Sequence, residues 1–389
     1  MKLLVKIFSI TLILLVMSCT STPSENPPTV TVQPTIKVNF LPTITALPPT
    51  RQSKSRVIPL PPQGYLYHGV FPGGKTGEED DLTLKDLSSY EQAVGKTVAW
   101  VYFSNNWYRS REFPTGTATW IRDAGSIPYI RLMLRSELKH ENVESTFSLQ
   151  NIIDGKFDAD LHTWCVQASD FGTPLLVEYG TEVNSDSFAW SGIWNGGGRT
   201  NDYGDPTQPD GPERFKDAYR HIIQICRDEK ANNITWVFHV DGEDSPNLNW
   251  NQLENYYPGD EWIDWIGISI YSSYTPQNDY WDIFHDIMGL IYYRLIKLAP
   301  TKPIIVAEFG APKGNPHGDQ AQWANWALSE LTSSWYPKVI GFSWWNEWWP
   351  NDRNPAHDTT MRVQDNPDLA AVFQELVGNN PKVLGEVSQ

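Results

Sequence analysis

Leu175-Leu176-Val177-Glu178-Tyr179-Gly180-Thr181-Glu182-Val183-Asn184 decides how the rest of the chain is read. A short apolar run with strand character ends at Gly180, and a polar loop carries a second glutamate beyond it. A helical pattern follows at Pro212–Lys230, and then another apolar run at Ile234–His239. A strand, a crossover helix and a further strand form the repeating unit of a parallel sheet. The alternation continues in both directions. Strands are expected at Leu66–Val70, Thr97–Phe103 and Ile127–Met133 on one side, and at Trp265–Ser269, Ile304–Ala307 and Ile340–Trp344 on the other. Helical patterns at Asp160–Asp170, Trp281–Leu298 and Gln320–Ser333 lie between them. Eight strands, each followed by a crossover, predict an α/β chain closed into a (β/α)8 TIM barrel, a single catalytic domain over residues 58–389.

The segment before this domain differs in texture. Lys2 and Lys6 precede an apolar run from Ile7 to Met17, too short for a standard membrane span, and Val16-Met17-Ser18-Cys19 closes it. This pattern resembles a bacterial lipobox. It implies a lipoprotein signal peptide over residues 1–19, with Cys19 lipidated as the mature N-terminus. Residues 20–57 are rich in Pro, Thr and Ser and cannot bury enough apolar surface to order themselves, so they read as an extended tether. The expected location is extracytoplasmic, lipid-anchored at the cell envelope.

Composition narrows the choice of partners. The formal net charge of −16 over 389 residues repels phosphate backbones, so a nucleic-acid partner is not expected. A neutral substrate is not repelled. The 18 Trp and 17 Tyr offer ring faces that suit the C–H face of a pyranose, and many of the Trp fall in loops. Cys165 and Cys226 each fall on an expected helix; separate burial is the commoner arrangement there, and their pairing stays open. No Cys/His cluster offers a zinc site. The glycine run Gly196-Gly197-Gly198 lacks the Lys and Ser/Thr of a phosphate loop.

In such a barrel the functional residues sit at the C-terminal ends of strands. Glu182 lies just past the fourth strand. In Pro303-Ile304-Ile305-Val306-Ala307-Glu308-Phe309-Gly310, simple alternation places Ile304, Val306 and Glu308 on one face, with the first two filling the barrel and Glu308 at its mouth. Strands four and seven stand on opposite sides of an eight-stranded ring, so the two glutamates face each other. Paired carboxylates at one mouth are what cleavage of a glycosidic bond requires. Glu178 shares strand phase with Glu182, and Arg131 on the adjacent third strand is its expected partner.

The order of several motifs resembles glycoside hydrolase family 26, within the large group of barrel glycosidases that carry their acids on strands four and seven. The matching stretches are Glu182-Val183-Asn184 with Phe188-Ala189-Trp190, Ala307-Glu308-Phe309-Gly310, Pro128-Tyr129-Ile130-Arg131, Gly155-Lys156-Phe157-Asp158, Asn233-Ile234-Thr235-Trp236-Val237, and Tyr257-Pro258-Gly259-Asp260 with Trp265-Ile266-Gly267. The resemblance implies a retaining endo-acting hydrolase with Glu182 as acid/base and Glu308 as nucleophile. It also implies that Tyr271 hydrogen-bonds the nucleophile and that Trp344, rather than its neighbour Trp345, is the sugar platform. Asn184, Trp190, Trp107 and His239 are weaker candidates for substrate contact. Two departures stand out: Thr181 replaces a His before the acid/base, and Glu178 stands where the family often has Arg. β-1,4-mannan is the leading expected substrate. β-glucan or β-xylan on the same scaffold is the alternative within enzymes, and a non-catalytic surface carbohydrate-binding lipoprotein is the alternative outside them. The chain is expected to work as a monomer without cofactor or metal, with a polysaccharide and the membrane as its partners.

Overall fold

The computed structural model describes residues 57–74, 76, 79–137 and 143–387. The expected signal segment, Cys19 and the tether up to residue 56 lie outside the described residues. Eight parallel strands form a closed ring: β1 (Leu66–Phe71), β2 (Trp100–Asn106), β3 (Ile127–Met133), β4 (Leu175–Tyr179), β5 (Ile234–Asp241), β6 (Trp265–Tyr271), β7 (Ile304–Gly310) and β8 (Val339–Trp345). Each pairs with the next in sequence, and β8 pairs with β1 to close the barrel. Helices α1 (Leu84–Val94), α2 (Thr115–Asp123), α3 (Leu149–Ile153), α4 (Asp158–Phe171), α5 (Asp210–Asp228), α6 (Phe284–Leu298), α7 (Gln320–Leu331) and α8 (Pro367–Phe373) lie in the connections and after β8. Local sequence marks several of their ends. Thr83 and Asp86 form a reciprocal capping box at the start of α1, Gly95 closes that helix in the left-handed region, and the Asp319 side chain caps α7.

The floor of the barrel is built around Trp100. Its indole N–H donates to the Ser343 hydroxyl at 2.7 Å. A Cβ at Gly69 would lie 2.0 Å from the Trp100 ring, and one at Gly341 would lie 2.4 Å from it. One large side chain therefore fixes glycine on both β1 and β8, because the interior has no volume left for a methyl group.

The β8 register places Gly341, Ser343 and Trp345 on the inside. Phe342 and Trp344 face the helices, where Trp344 packs edge-on against Phe373 of α8 and lies close to Trp323 of α7. Strand β7 departs from simple alternation. Val306 pairs with Ile268 and Glu308 with Ser269, so Ala307 is an extra residue, a β-bulge. Ile304, Val306 and Phe309 consequently face the helices, while Ile305 pairs with Gly267 on the inner face. The alternation expected from sequence was wrong about Ile304 and Val306. Glu308 still points inward, because the bulge reverses the phase between Val306 and Glu308.

Cys165 of α4 and Cys226 of α5 are joined in a disulfide, with their Cα atoms 4.8 Å apart. It ties together two neighbouring crossover helices across a separation of 61 residues. A link of this kind stabilises a fold by about 2–4 kcal/mol.

Candidate active site

Glu182 and Glu308 line one cavity of about 330 Å³ at the C-terminal mouth of the barrel, with Arg131, Tyr271, Trp345 and Glu347. Both carboxyls are nearly inaccessible, at 6% and 3% exposure. Glu182 is held in a tight turn. Gly180 has φ +74°, and a Cβ there would lie 2.2 Å from the Phe215 ring; Glu182 itself has φ +50°. A non-glycine residue in the left-handed region costs about 1–3 kcal/mol, a strain tolerated where the surroundings over-determine the backbone.

Glu308 is gripped from three sides. Tyr271 donates to Oε2 at 2.8 Å, the Tyr102 hydroxyl lies 3.0 Å from Oε1, and the Arg131 guanidinium is 3.6 Å away. Beneath the two glutamates sits a third. Glu178 is fully buried and is bonded to the hydroxyls of Tyr102 and Tyr129 and to His239 Nδ1, the last at 3.0 Å. Burial alone would raise the Glu178 carboxyl, but His239 and then Arg131 outweigh it and hold it below the ordinary range. His239 is raised in turn: burial works against its charge, and Glu178 overcomes this. A protonated His239 donates Nδ1–H to Glu178 and Nε2–H to the Ser269 oxygen, 2.9 Å away. The Ser269 hydroxyl proton is then free to reach Glu182, with which it is hydrogen-bonded.

This chain accounts for the two departures from the family pattern. Arg131 does not form the expected ion pair with Glu178; its Nη1 binds Glu79 at 2.7 Å and its Nη2 faces Glu308. Glu178 takes His239 instead, and Thr181 places its hydroxyl 2.9 Å from the same His239 nitrogen. The acid on β4 and the imidazole on β5 neutralise each other. Glu178, His239 and Glu308 also bring ligand atoms within 4.8 Å of one another, but each is already engaged in these hydrogen bonds.

Glu182 is raised to about 7, first by burial and then by Asp241. Glu308 is also raised to about 7 by burial, with Arg131 pulling it down and Glu182 pushing it up. Two such carboxyls titrate as a pair and hold one proton between them near neutrality. The proton belongs on Glu182, because the Arg131 cation and the donating Tyr271 hydroxyl face Glu308. The rate should therefore fall as pH rises through about 7, when Glu182 loses its proton, and fall again in acid, when Glu308 gains one. In Asp241→Asn a like charge beside Glu182 is gone, so the alkaline limb should move to lower pH. A pH profile of kcat/KM checks this; an unmoved limb would count against the assignment.

The sequence profile of glycosyl hydrolase family 26 matches residues 169–315, a stretch that contains both glutamates. Over that stretch the chain is similar to glycosyl hydrolase family 26. Endoglucanase H of Acetivibrio thermocellus is 26% identical over 294 residues, covering 75% of this chain and 29% of that relative. A mannan endo-1,4-beta-mannosidase of Bacillus subtilis is 25% identical over 179 residues, covering 46% of this chain and 40% of its own length. The chain thus spans well under two thirds of the curated relatives it matches. Among solved structures, a GH26 β-mannanase from Bacteroides ovatus superposes with a TM-score of 0.57 at 17% identity, over 82% of this chain and 90% of that one. At that identity the likeness speaks for the fold.

The structure sorts the residues expected at the site. Glu182, Glu308 and Tyr271 come together as expected. Trp344 does not line the cavity: it is fully buried behind β8, and its indole N–H donates to the Met361 carbonyl at 2.7 Å. Trp345 lines the cavity instead, with its ring stacked on Phe71 at 4.2 Å between centroids. Asn184 is consumed by the protein. Its amide donates to Asp244 and to the Asp241 carbonyl and accepts from the Asp241 N–H, so it straps the end of β5. Trp190 donates to the Thr181 carbonyl and stacks on Phe188, and this bracing keeps the loop of Glu182 in place; Phe188 is the one that lines the cavity. Trp107 is buried against Phe147 and Phe157, away from the cavity. His239 lies beneath the carboxylates and touches them rather than the open space. Sequence reading missed Tyr102, Glu79, Tyr274 and Glu347. Tyr102 could have been found by its strand phase, two residues past Trp100; Glu347 could have been found as another acid just beyond a strand end.

Proposed function

We propose that this protein is a retaining, endo-acting glycoside hydrolase that cleaves a neutral β-linked polysaccharide. The observation that carries the reading is the pair of buried glutamates, one just past β4 and one on β7, in one open cavity, one paired with a cation and a donating tyrosine, the other poised to hold a proton. Glu308 attacks the anomeric carbon while Glu182 protonates the leaving oxygen; Glu182 then activates water to release the sugar. A second cavity of about 410 Å³ shares Tyr271 and Tyr274 with the first and continues past Asp241 and Glu243. A groove longer than one sugar ring supports binding within a chain rather than at its end.

β-1,4-mannan is the first substrate to test, as the mannosidase relative acts on it by name. β-glucan is the second reading. It is favoured by the wide match to Endoglucanase H and by Glu178 and Thr181 standing where the family pattern has Arg and His. A panel of mannan, β-glucans and β-xylans with a reducing-sugar readout ranks them. NMR of the first-formed product should show the anomeric configuration of the bond cleaved; the opposite anomer would overturn the nucleophilic role of Glu308. We also infer a lipid anchor on Cys19, consistent with an oxidised disulfide in the catalytic domain. Mass spectrometry of the native protein should find a diacylglyceryl group on Cys19, and an intact N-terminus at Met1 would refute it.

A further inference from the structure

Glu347 lies two residues past Trp345, between β8 and the short strand β9 (Trp348–Trp349). Its side chain lines the cavity that holds Glu182 and Glu308, yet the residue is only 3% exposed. The carboxyl is hydrogen-bonded to the Trp345 side chain. Its Oε1 is buried and has no partner among the described residues. A buried oxygen left unbonded costs about 1–3 kcal/mol, so such atoms are rare unless something else supplies the bond. The nearby acid does not resemble it: Glu79 takes Arg131 at 2.7 Å and the Ser104 hydroxyl at 2.8 Å. The acid that carries this unpartnered oxygen is one that lines the cavity.

We propose that Glu347 Oε1 hydrogen-bonds a hydroxyl group of the sugar ring that packs on Trp345, and so helps to select the substrate. The proposal rests on the glycoside hydrolase reading above. Trp345 supplies an apolar face and says little about which sugar lies on it, because most pyranoses present a C–H face. Glu347 holds the edge of that same indole and adds a directional contact beside it. Stack and hydrogen bond thus come from one rigid unit, and a sugar whose hydroxyl points elsewhere keeps the first and loses the second. Burial pushes the Glu347 carboxyl well above its ordinary range, Glu79 and Asp81 push the same way, and Arg131 pulls against them. In its neutral form, which burial favours, such a carboxyl can donate as well as accept. A uronic acid at this position would meet the charges of Glu79 and Glu308 against a single Arg131, so the site favours uncharged rings.

The test compares Glu347→Gln and Glu347→Ala with the parent chain, by hydrolysis of manno- and gluco-oligosaccharides. Binding is measured by calorimetry in a Glu308→Gln background that leaves the ligand intact. Glutamine keeps the size and both hydrogen-bonding roles, so it should bind within about threefold of the parent. Alanine should bind roughly tenfold more weakly, the worth of one good hydrogen bond. A set of monodeoxy oligosaccharides adds a readout that a merely structural role would not move. One of them should lose the same factor against Glu347 protein and lose nothing further against the alanine variant. If every deoxy sugar loses equally in both proteins, Glu347 only holds Trp345 and the proposal falls. It also falls if the alanine variant binds as the parent does. Hydrolysis by the parent together with an unaffected alanine variant overturns this proposal alone; a parent that cleaves no β-glycan overturns the functional reading and this proposal with it.

Discussion

Glu308→Ala should lower the hydrolysis of an unactivated polysaccharide by roughly a thousandfold or more, and Glu182→Ala by a comparable factor. The two variants should separate on an aryl glycoside with a good leaving group. Such a leaving group needs no proton, so Glu182→Ala should form the glycosyl-enzyme at close to the parent rate and stall at its hydrolysis. Added azide should then restore turnover, because a small anion can enter the space left by the carboxylate and attack without a general base. Glu308→Ala should stay slow at the first step on every substrate, since no leaving group replaces a missing nucleophile. Burst kinetics with and without azide measure both steps. The structure supports this asymmetry, as two groups that favour a negative charge converge on Glu308: Arg131 and Tyr271. If Glu308→Ala were the variant rescued at the second step, the two roles would be reversed.

Arg131→Met should be the most damaging substitution outside the two glutamates. Arg131 is 4% exposed, and it bridges Glu79 and Glu308 while facing the rings of Tyr102, Phe188 and Trp345 at 5.5–5.8 Å. Methionine fills much of the volume and leaves two buried carboxylates without their cation. Breaking a buried pair in this way costs about 3–5 kcal/mol. The consequence for catalysis has a definite sign. Glu308 is already raised by burial, and Arg131 is the main force lowering it. Without that force its pKa rises further, so the nucleophile is protonated over more of the pH range and the acid limb of kcat/KM moves to higher pH. Denaturant unfolding at neutral pH and a pH–rate profile read the two effects separately. Unchanged stability with an unchanged profile would mean that Arg131 is not coupled to Glu308.

The eight strands were legible in the sequence because each is a short apolar run bounded by polar loops, and β3 and β4 fall at the residues expected. That Glu182 and Glu308 would share one cavity was legible because acids at strand ends are unusual in so apolar a setting. The choice between Trp344 and Trp345 failed for a physical reason. Both faces of a barrel strand are buried, so period-two alternation shows that two faces exist without saying which is inside. The clue was side-chain size. Gly341 and Ser343 are small because Trp100 fills the floor opposite them, while Ile340, Phe342 and Trp344 form the bulkier, helix-facing row. Asn184, Trp190 and His239 were misjudged for another reason. Residues that brace a binding loop and residues that touch a ligand are drawn from the same polar and aromatic types, and only their partners distinguish them.

The additional residue at Ala307 bears on how this activity could be lost in descent. Glu308 faces the cavity because β7 carries one residue more than the stretch of β6 paired with it. Side-chain direction in a strand has two settings, and adding or removing a single residue inverts everything beyond it. The heading of the nucleophile is thus written in the length of the chain rather than in the identity of any letter. A lineage that dropped one codon here could keep every acid, tyrosine and tryptophan and still turn its carboxylate toward the helices. Counting identities would score that descendant as intact; only its spacing would reveal the change.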